Sequence, residues 1–588
     1  MSRSNILLIF LGGILALRMT IWQFFPDTKG FFREDFSDVA IATLIIAIAL
    51  FWILGKLVKR QTLKESGLEL PIFIFMLSAG YSLFHTVDMS SSLRSVLVLG
   101  AEIAFFYILL DLLDTPKRIR FILIFLAGLC VIASVYGIKT FFDYSMHAHL
   151  QKHDALLLPS RGLIYLSAHP RAISFFGWPN TLAGFFLLFL PLMLILPIYF
   201  QKSWLKVLSV LALISCVVCF LCTFSFLGWT SFLISTIVLV PFFRDRFKVK
   251  IWPVIFVFLT LFIFVILRKD LLASLSPRLF YYKAAFTLVG KNPLWGWGWN
   301  VFGLMSSSMT KDVTILSSYV HNSYLQVWVE GGILGFWGIA LLAVSVFKKV
   351  KAVIYLKEQQ REYLLLIAVS WGIMAFLIDN LFSFTILLPH VALYWWSMLA
   401  IFCAMLRMRG HSERSEETLG VLISPPDGEA GFASLRMTII KSVLFVLLVF
   451  VFVLLLRMTA GYTLYYRSQK GLVSNDPIWI LNSTGKAIET LKRAEVLDPW
   501  SAYLPAERGY SYVRLYGITR LKGMLMLAKV EYVEAIRRSP KNYYNYFVLG
   551  KIFAELGDRK NEDAFTQKAS ELSPGEFALD NSMFYKEQ

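Results

Sequence analysis

The stretch His321-Asn322-Ser323-Tyr324-Leu325-Gln326-Val327-Trp328-Val329-Glu330-Gly331-Gly332-Ile333-Leu334-Gly335-Phe336 sets a polar cluster directly against the start of an apolar, membrane-spanning run. Polar groups at such a boundary usually serve chemistry or transport. His321 heads a polar stripe in which Asn322, Gln326 and Glu330 follow at steps of four, on one helix face. A lone histidine at a helix start is simply solvated, whereas a stripe turned toward a bundle interior is costly unless it lines a cavity.

Working outward, the composition sets the class. The chain has 588 residues, 57% hydrophobic and 16% aromatic, and a mean hydropathy of +0.64, too apolar for a soluble protein. A bilayer core takes about 20 apolar residues per helix. Runs of that kind lie near 4–24, 36–58, 69–87, 92–113, 118–142, 174–200, 204–224, 226–243, 251–268, 331–350, 362–383, 386–407 and 438–457. The expectation is an all-α, polytopic helical membrane protein. The first run carries Arg18 and has no small-residue cleavage site after it, so it reads as a retained span.

Orientation follows from where short loops keep Lys and Arg. Lys56, Lys59, Arg60 and Lys64, then Lys117, Arg118 and Arg120, then Arg244, Arg246, Lys248 and Lys250, then Lys348, Lys349, Lys351 and Lys357 all fall on one side, expected to be cytoplasmic. Residues 143–173, 269–330 and the C-terminus after 458 fall on the other. This topology, with basic loops against anionic membrane lipid, accounts for much of the formal charge of +18; no nucleic-acid partner is indicated.

All five cysteines, Cys130, Cys216, Cys219, Cys222 and Cys403, lie in expected spans, so a disulfide framework is not expected. The domain reading is a membrane region over 1–407, a polar, turn-rich cytoplasmic linker over 408–437, a final span over 438–457 and a helical domain over 460–588. In the last, Leu497-Asp498-Pro499, Arg538-Ser539-Pro540 and Leu572-Ser573-Pro574 close successive segments. The second and third prolines are separated by the tetratricopeptide period, and the first two by seven residues more. The expectation is two or three degenerate repeats, either docking a glycan-handling protein partner or forming a packed appendage.

The chemistry is expected from the two long outer loops. The first contains His147, His149, His153 and then Arg171 with Trp178-Pro179-Asn180; the second contains Arg278, Lys283, Lys291, Trp295, Trp297 and Trp299, with His321 near its close. An Arg fork binds phosphate oxygens in pairs and stays charged at any working pH. The tryptophans suit either sugar faces or a membrane-interface belt. The three loop histidines fit a flexible polar loop better than a metal cluster. Asp379-Asn380, near the outer end of the eleventh run, either completes the site or caps a bundle contact.

These residues resemble the O-antigen ligase and polymerase superfamily of bacterial glycan-assembly membrane proteins. His321-Asn322, nine residues, then Gly332-Ile333-Leu334-Gly335 is similar to that family's His-Asn-x9-Gly-x-x-Gly signature. Arg278 followed by Pro293-Leu294-Trp295-Gly296-Trp297-Gly298 resembles its Arg…Pro-Leu-x-Gly-x-Gly run, and Arg171, Gly177, Pro179-Asn180 and Ala183 a looser Arg…Gly…Pro-Asn…Ala element. One departure is Ser225-Phe226-Leu227-Gly228, where relatives often show Ser-Arg-Gly; Lys283 or Lys139 would have to supply the missing cation, or the donor's diphosphate is held less fully.

The resemblance implies a GT-C-like architecture, located in the bacterial inner membrane with its site facing outward. It implies inverting glycosyl transfer from a polyprenyl diphosphate-linked glycan donor to a hydroxyl of a lipid or protein acceptor, without metal or other cofactor. Arg171 and Arg278 would hold the diphosphate and His321 would orient or deprotonate the acceptor, with an ordinary pKa of about 6.5 suiting a base. Asn322, Glu330, Lys283, Lys291, Trp297 and Asp379 are expected to contact substrate. A ligase and a polymerase share this chemistry. A transporter would also explain many spans, but no repeat of membrane halves is evident.

Overall fold

The structure, a computed structural model, describes residues 3–21, 30–150, 170–247, 276–354, 361–417, 427–470 and 477–584. Among these the chain is helical with no strand. The membrane body contains α1 (Arg3–Thr20), α2 (Gly30–Val58), α3 (Glu69–Ser82), α4 (Met89–Leu112), α5 (Pro116–Leu150), α6 (Pro179–Tyr199), α7 (Ser203–Cys222) and α8 (Phe226–Phe247). It continues with α9 (Ser276–Lys291), the short α10 (Phe302–Ser306), α11 (Ser323–Ile354), α12 (Arg361–Asp379), α13 (Pro389–Glu417) and α14 (Asp427–Lys470). Among the described residues nine helices are long and apolar enough to cross a membrane, and Ser4–Thr20, Glu69–Ser82 and Phe226–Leu239 are shorter apolar helices. These twelve coincide with expected runs. The remaining run, 251–268, lies outside the described residues, as do His153 and His169.

Two helices form the centre. In α6 and α13, 83% of the apolar window is buried in protein, against 17% in α14, which sits at the rim with its apolar side chains turned outward. The centre is aromatic: Phe185 and Phe189 pack edge-on or tilted against each other and against Tyr394 of α13, with ring centroids 4.8 to 6.1 Å apart. Across the residues expected to form a turn-rich linker, helix continues to Glu417 and resumes at Asp427.

The expected span at 331–350 is in fact the second part of a broken helix. α11 begins at Ser323, and at Gly332 the backbone leaves the helical region, with φ 66° and ψ −166°. A break inside a membrane bundle frees carbonyls that lipid cannot satisfy, each costing several kcal/mol. The loop 294–298 takes them: Trp297 N–H donates to Val329 O at 3.0 Å and Gly298 N–H to Glu330 O at 3.0 Å, while Ile333 N–H donates back to Leu294 O at 3.3 Å. The fit requires glycine on both sides. A Cβ on Gly332 would lie 2.2 Å from Leu294 O, and one on Gly296 2.3 Å from Glu330 O.

The C-terminal helices are α15 (Pro477–Leu497), α16 (Tyr503–Thr519), α17 (Lys522–Arg538), α18 (Tyr543–Leu556), α19 (Arg559–Leu572) and α20 (Pro574–Phe584). α16 with α17 and α18 with α19 form two hairpins. Each helix of the first is three residues longer than its counterpart in the second, and the turn leading into it is one residue longer, which accounts for the unequal proline spacing. Arg508 ties three helices by bonding Glu495 at 2.5 Å and Glu531 at 2.6 Å. The hairpins rest on the loop end of the membrane body: Ser539 Oγ donates to Asp88 Oδ2 at 2.7 Å, and Ser307 Oγ to Leu572 O at 3.0 Å.

Candidate functional site

Asn322 is the N-cap of α11, its Oδ1 accepting from Leu325 N–H at 2.9 Å. The residue before it, His321, turns the chain in the left-handed region at φ 60°, a strained conformation for a non-glycine residue that is held only where its surroundings impose it. Here aromatic rings do so. The imidazole stacks on Tyr281 of α9 at 5.2 Å and 15°, and meets Phe384 edge-on at 4.7 Å and 90°. Tyr282 Oη donates to His321 O at 3.3 Å. Burial first, and the charge of Arg278 second, push this imidazole down to about 3. Both effects favour the neutral form of the ring, the form that can accept a proton.

Arg278 projects from the first turn of α9, three and four residues before the two tyrosines, and so shares their face. Its Nη1 donates to Phe382 O at 2.7 Å. Desolvation lowers its pKa, partly offset by Tyr282, Asp379 and Tyr281. Asp379, at the end of α12, is 3% exposed; Thr385 Oγ1 donates to its Oδ2 at 3.5 Å, and Arg278 acts on it electrostatically. The neighbouring Asn380 does bracing work. Its Oδ1 accepts from Ser323 Oγ at 2.7 Å and Ile386 N–H at 2.9 Å, and Ser323 N–H donates to its carbonyl at 3.0 Å. Asn380 therefore clamps the start of α11, and with it His321, to the end of α12.

Arg171 lies in the segment leading into α6, eight residues before Pro179, and is engaged in protein contacts. Its Nε donates to Thr223 O at 2.7 Å, and its Nη2 to Phe224 O and to Asn180 Oδ1, both at 3.1 Å. It thus places a cation at the turn just before Phe226. The other candidates for that charge are placed differently: Lys139 pairs with Asp143 at 2.8 Å on an exposed surface, and Lys283 is exposed on α9. Gly184, one turn into α6, lies against Thr385, which bonds Asp379 at 3.5 Å. This brings the Arg171 end of α6 to the same region as Asp379.

The rest of the stripe acts on backbone. Gln326 Oε1 accepts from Val320 N–H at 3.0 Å and its Nε2 donates to Glu330 Oε1 at 3.2 Å, while Glu330 Oε1 also accepts from Phe302 N–H at 3.2 Å at the start of α10. Glu330 is 1% exposed. The Trp297 indole donates to Leu288 O at 3.0 Å, fastening the loop to α9. Lys291 ends α9 as an exposed side chain. Among the described residues no group of three or more His, Cys, Asp or Glu side chains gathers as a metal site. The contacts that hold His321, from Tyr281 and Phe384, were not singled out in the sequence; the spacing of Arg278, Tyr281 and Tyr282 is the signal that could have found the first.

A cavity of about 1640 Å³ opens beside this cluster. Its lining includes His321, Tyr281, Phe384, Gln326 and Glu330 together with side chains of α14 and the C-terminal helices. The fold and site define a polytopic helical membrane protein with an arginine and a half-buried histidine grouped at the loop end of its bundle. Residues 172–340 match the model of the O-antigen ligase family, which places this segment in the O-antigen ligase superfamily. The match spans Arg278, both glycine pairs and His321-Asn322. Comparisons with curated proteins and with solved structures gave no match. The match supports a glycan-transferring function of the ligase or polymerase kind.

Proposed function

We propose that the protein is a metal-independent, inverting glycosyltransferase of the bacterial inner membrane. It moves a glycan from a polyprenyl diphosphate carrier to an acceptor hydroxyl at the extracytoplasmic face. The acceptor oxygen attacks the anomeric carbon from the side opposite the carrier and forms the new C–O bond. The C–O bond to the diphosphate breaks, and the carrier leaves with the electron pair. His321 takes the hydroxyl proton, and Arg278 together with Arg171 stabilises the charge on the departing diphosphate. The observation that carries this reading is the imidazole of His321, held between the rings of Tyr281 and Phe384, with Tyr281 one turn along α9 from Arg278.

The pairing has a built-in order. Arg278 helps hold His321 deprotonated while the site is empty; an anionic diphosphate on Arg278 offsets that charge and raises the basicity of the imidazole when the donor arrives. Purified protein in lipid nanodiscs, given polyprenyl diphosphate-linked glycan with lipid-core, peptide and carrier-linked acceptors, tests the proposal. His321→Ala should abolish transfer and Arg278→Ala reduce it by about 10²-fold or more, with both variants inserting normally. Full activity of His321→Ala would overturn it.

A further inference from the structure

The cavity beside His321 is a space between two parts of the chain. On the membrane side it reaches Trp178 and His321; on the other it is lined by Tyr503, Tyr510 and Glu507 of α16, and by Asn542, Tyr544 and Asn545 at the start of α18. Trp178, Tyr510 and Tyr544 are 54%, 48% and 45% exposed, so ring faces stand open inside a concave wall. Glu507, Asn542 and Glu576 line the cavity with them, beside Lys541. Aromatic faces interleaved with hydrogen-bond acceptors suit a ligand with apolar ring faces and many hydroxyls. The acidic side chains disfavour a polyanion. An extended peptide finds no strand edge to join, because the described residues contain no strand.

The cavity also has a direction. His321, assigned to the acceptor hydroxyl, is in its wall, whereas neither Arg171 nor Arg278, assigned to the donor diphosphate, lines it. We infer that the C-terminal domain completes the transfer site, and that this cavity binds the sugar chain of a saccharide acceptor. The inference rests on the function proposed above. It turns the hairpin face inward, toward substrate, and leaves the protein-docking reading of these helices without a role at this surface.

The test uses the full chain in nanodiscs and three labelled probes: a lipid-core oligosaccharide, a free repeat-unit oligosaccharide and a Ser/Thr-rich peptide. Tyr510→Ala/Tyr544→Ala, at two half-exposed positions, should weaken binding of one of the oligosaccharides by at least about tenfold, whereas Tyr510→Phe/Tyr544→Phe, which keeps the rings, should bind nearly as the parent does. In transfer assays the alanine pair should raise the acceptor KM and leave kcat and the donor KM in place. Undiminished saccharide binding by the alanine pair, binding of the peptide alone, binding of no probe, or a rise in donor KM would overturn the inference. Ring-dependent saccharide binding by a chain that transfers to no acceptor would sink the transfer reading and leave the saccharide site supported.

Discussion

His321 shows how far a side chain's chemistry is set by what surrounds it. Its ordinary pKa, about 6.5, would make it half-protonated near neutrality; burial and Arg278 move it to about 3. With a depressed pKa the competent, neutral form is present above the shifted value and is lost only as pH falls through it. The profile of kcat/KM, which reports the free enzyme, should therefore show no acid limb from His321 between pH 5 and 8, and an acid limb near 6.5 would contradict the burial. Because a bound diphosphate offsets Arg278, the acid limb of kcat should lie at higher pH than that of kcat/KM. Glu330 poses the opposite case, a buried acid that invites a catalytic reading while its oxygen is occupied by Phe302 N–H and Gln326 Nε2. Glu330→Gln keeps an accepting oxygen and should retain transfer within several-fold of the parent. Glu330→Ala strands those donors and should lower stability by about 1–3 kcal/mol, seen as a lower melting temperature; a catalytic role would instead cost both variants about 10²-fold or more in rate with melting unchanged.

At the scale of elements, the broken helix α11 carries the most information. Gly332 occupies a region of φ and ψ that is essentially reserved for glycine, and the atoms a Cβ would strike are the Leu294 carbonyl group, which cannot step aside without losing its bond from Ile333. Gly332→Ala should destabilise the fold by about 3 kcal/mol or more. Gly331→Ala, whose nearest neighbour would be Ser78 Oγ at 3.3 Å, should melt close to the parent; equal melting of the two variants would refute the interlock. This break also marks where the sequence ceased to be legible. Hydropathy placed the runs because burial in lipid is an average over many residues, but it started this one at 331, because the polar stripe of Asn322, Gln326 and Glu330, itself read as one helix face, lowers that average. Their partners are backbone N–H groups from segments 302 and 320, brought there only by the fold. The same holds for Trp297, read as sugar contact or interface belt and found donating to Leu288 O. Arg278 and Asp379 were both picked out, yet their electrostatic pairing spans 101 residues and no spacing rule predicts it.

For the whole molecule, the question is how firmly the C-terminal hairpins are held against the membrane body. Two hydrogen bonds at separate places do part of this. Ser539 reaches Asp88, which also caps α4 by accepting from Ser91 N–H at 2.9 Å, and Ser307 reaches the last carbonyl of α19. Replacing Asp88 would confound the loss of docking with loss of the cap, so the informative substitutions are Ser539→Ala and Ser307→Ala. Each removes a buried bond worth about 1 kcal/mol. The two bonds share no partner, so their effects should add within about 0.5 kcal/mol in the double variant, measured as thermal stability of the full chain. Because His321 is clamped by Tyr281, Phe384 and Asn380, none of which belongs to the hairpins, loosening the domain should leave the kcat of transfer in place and raise the KM for acceptor. A fall in kcat with KM unchanged would mean that the hairpins position the histidine itself, and that the division of labour between the membrane body and its C-terminal domain is drawn in the wrong place.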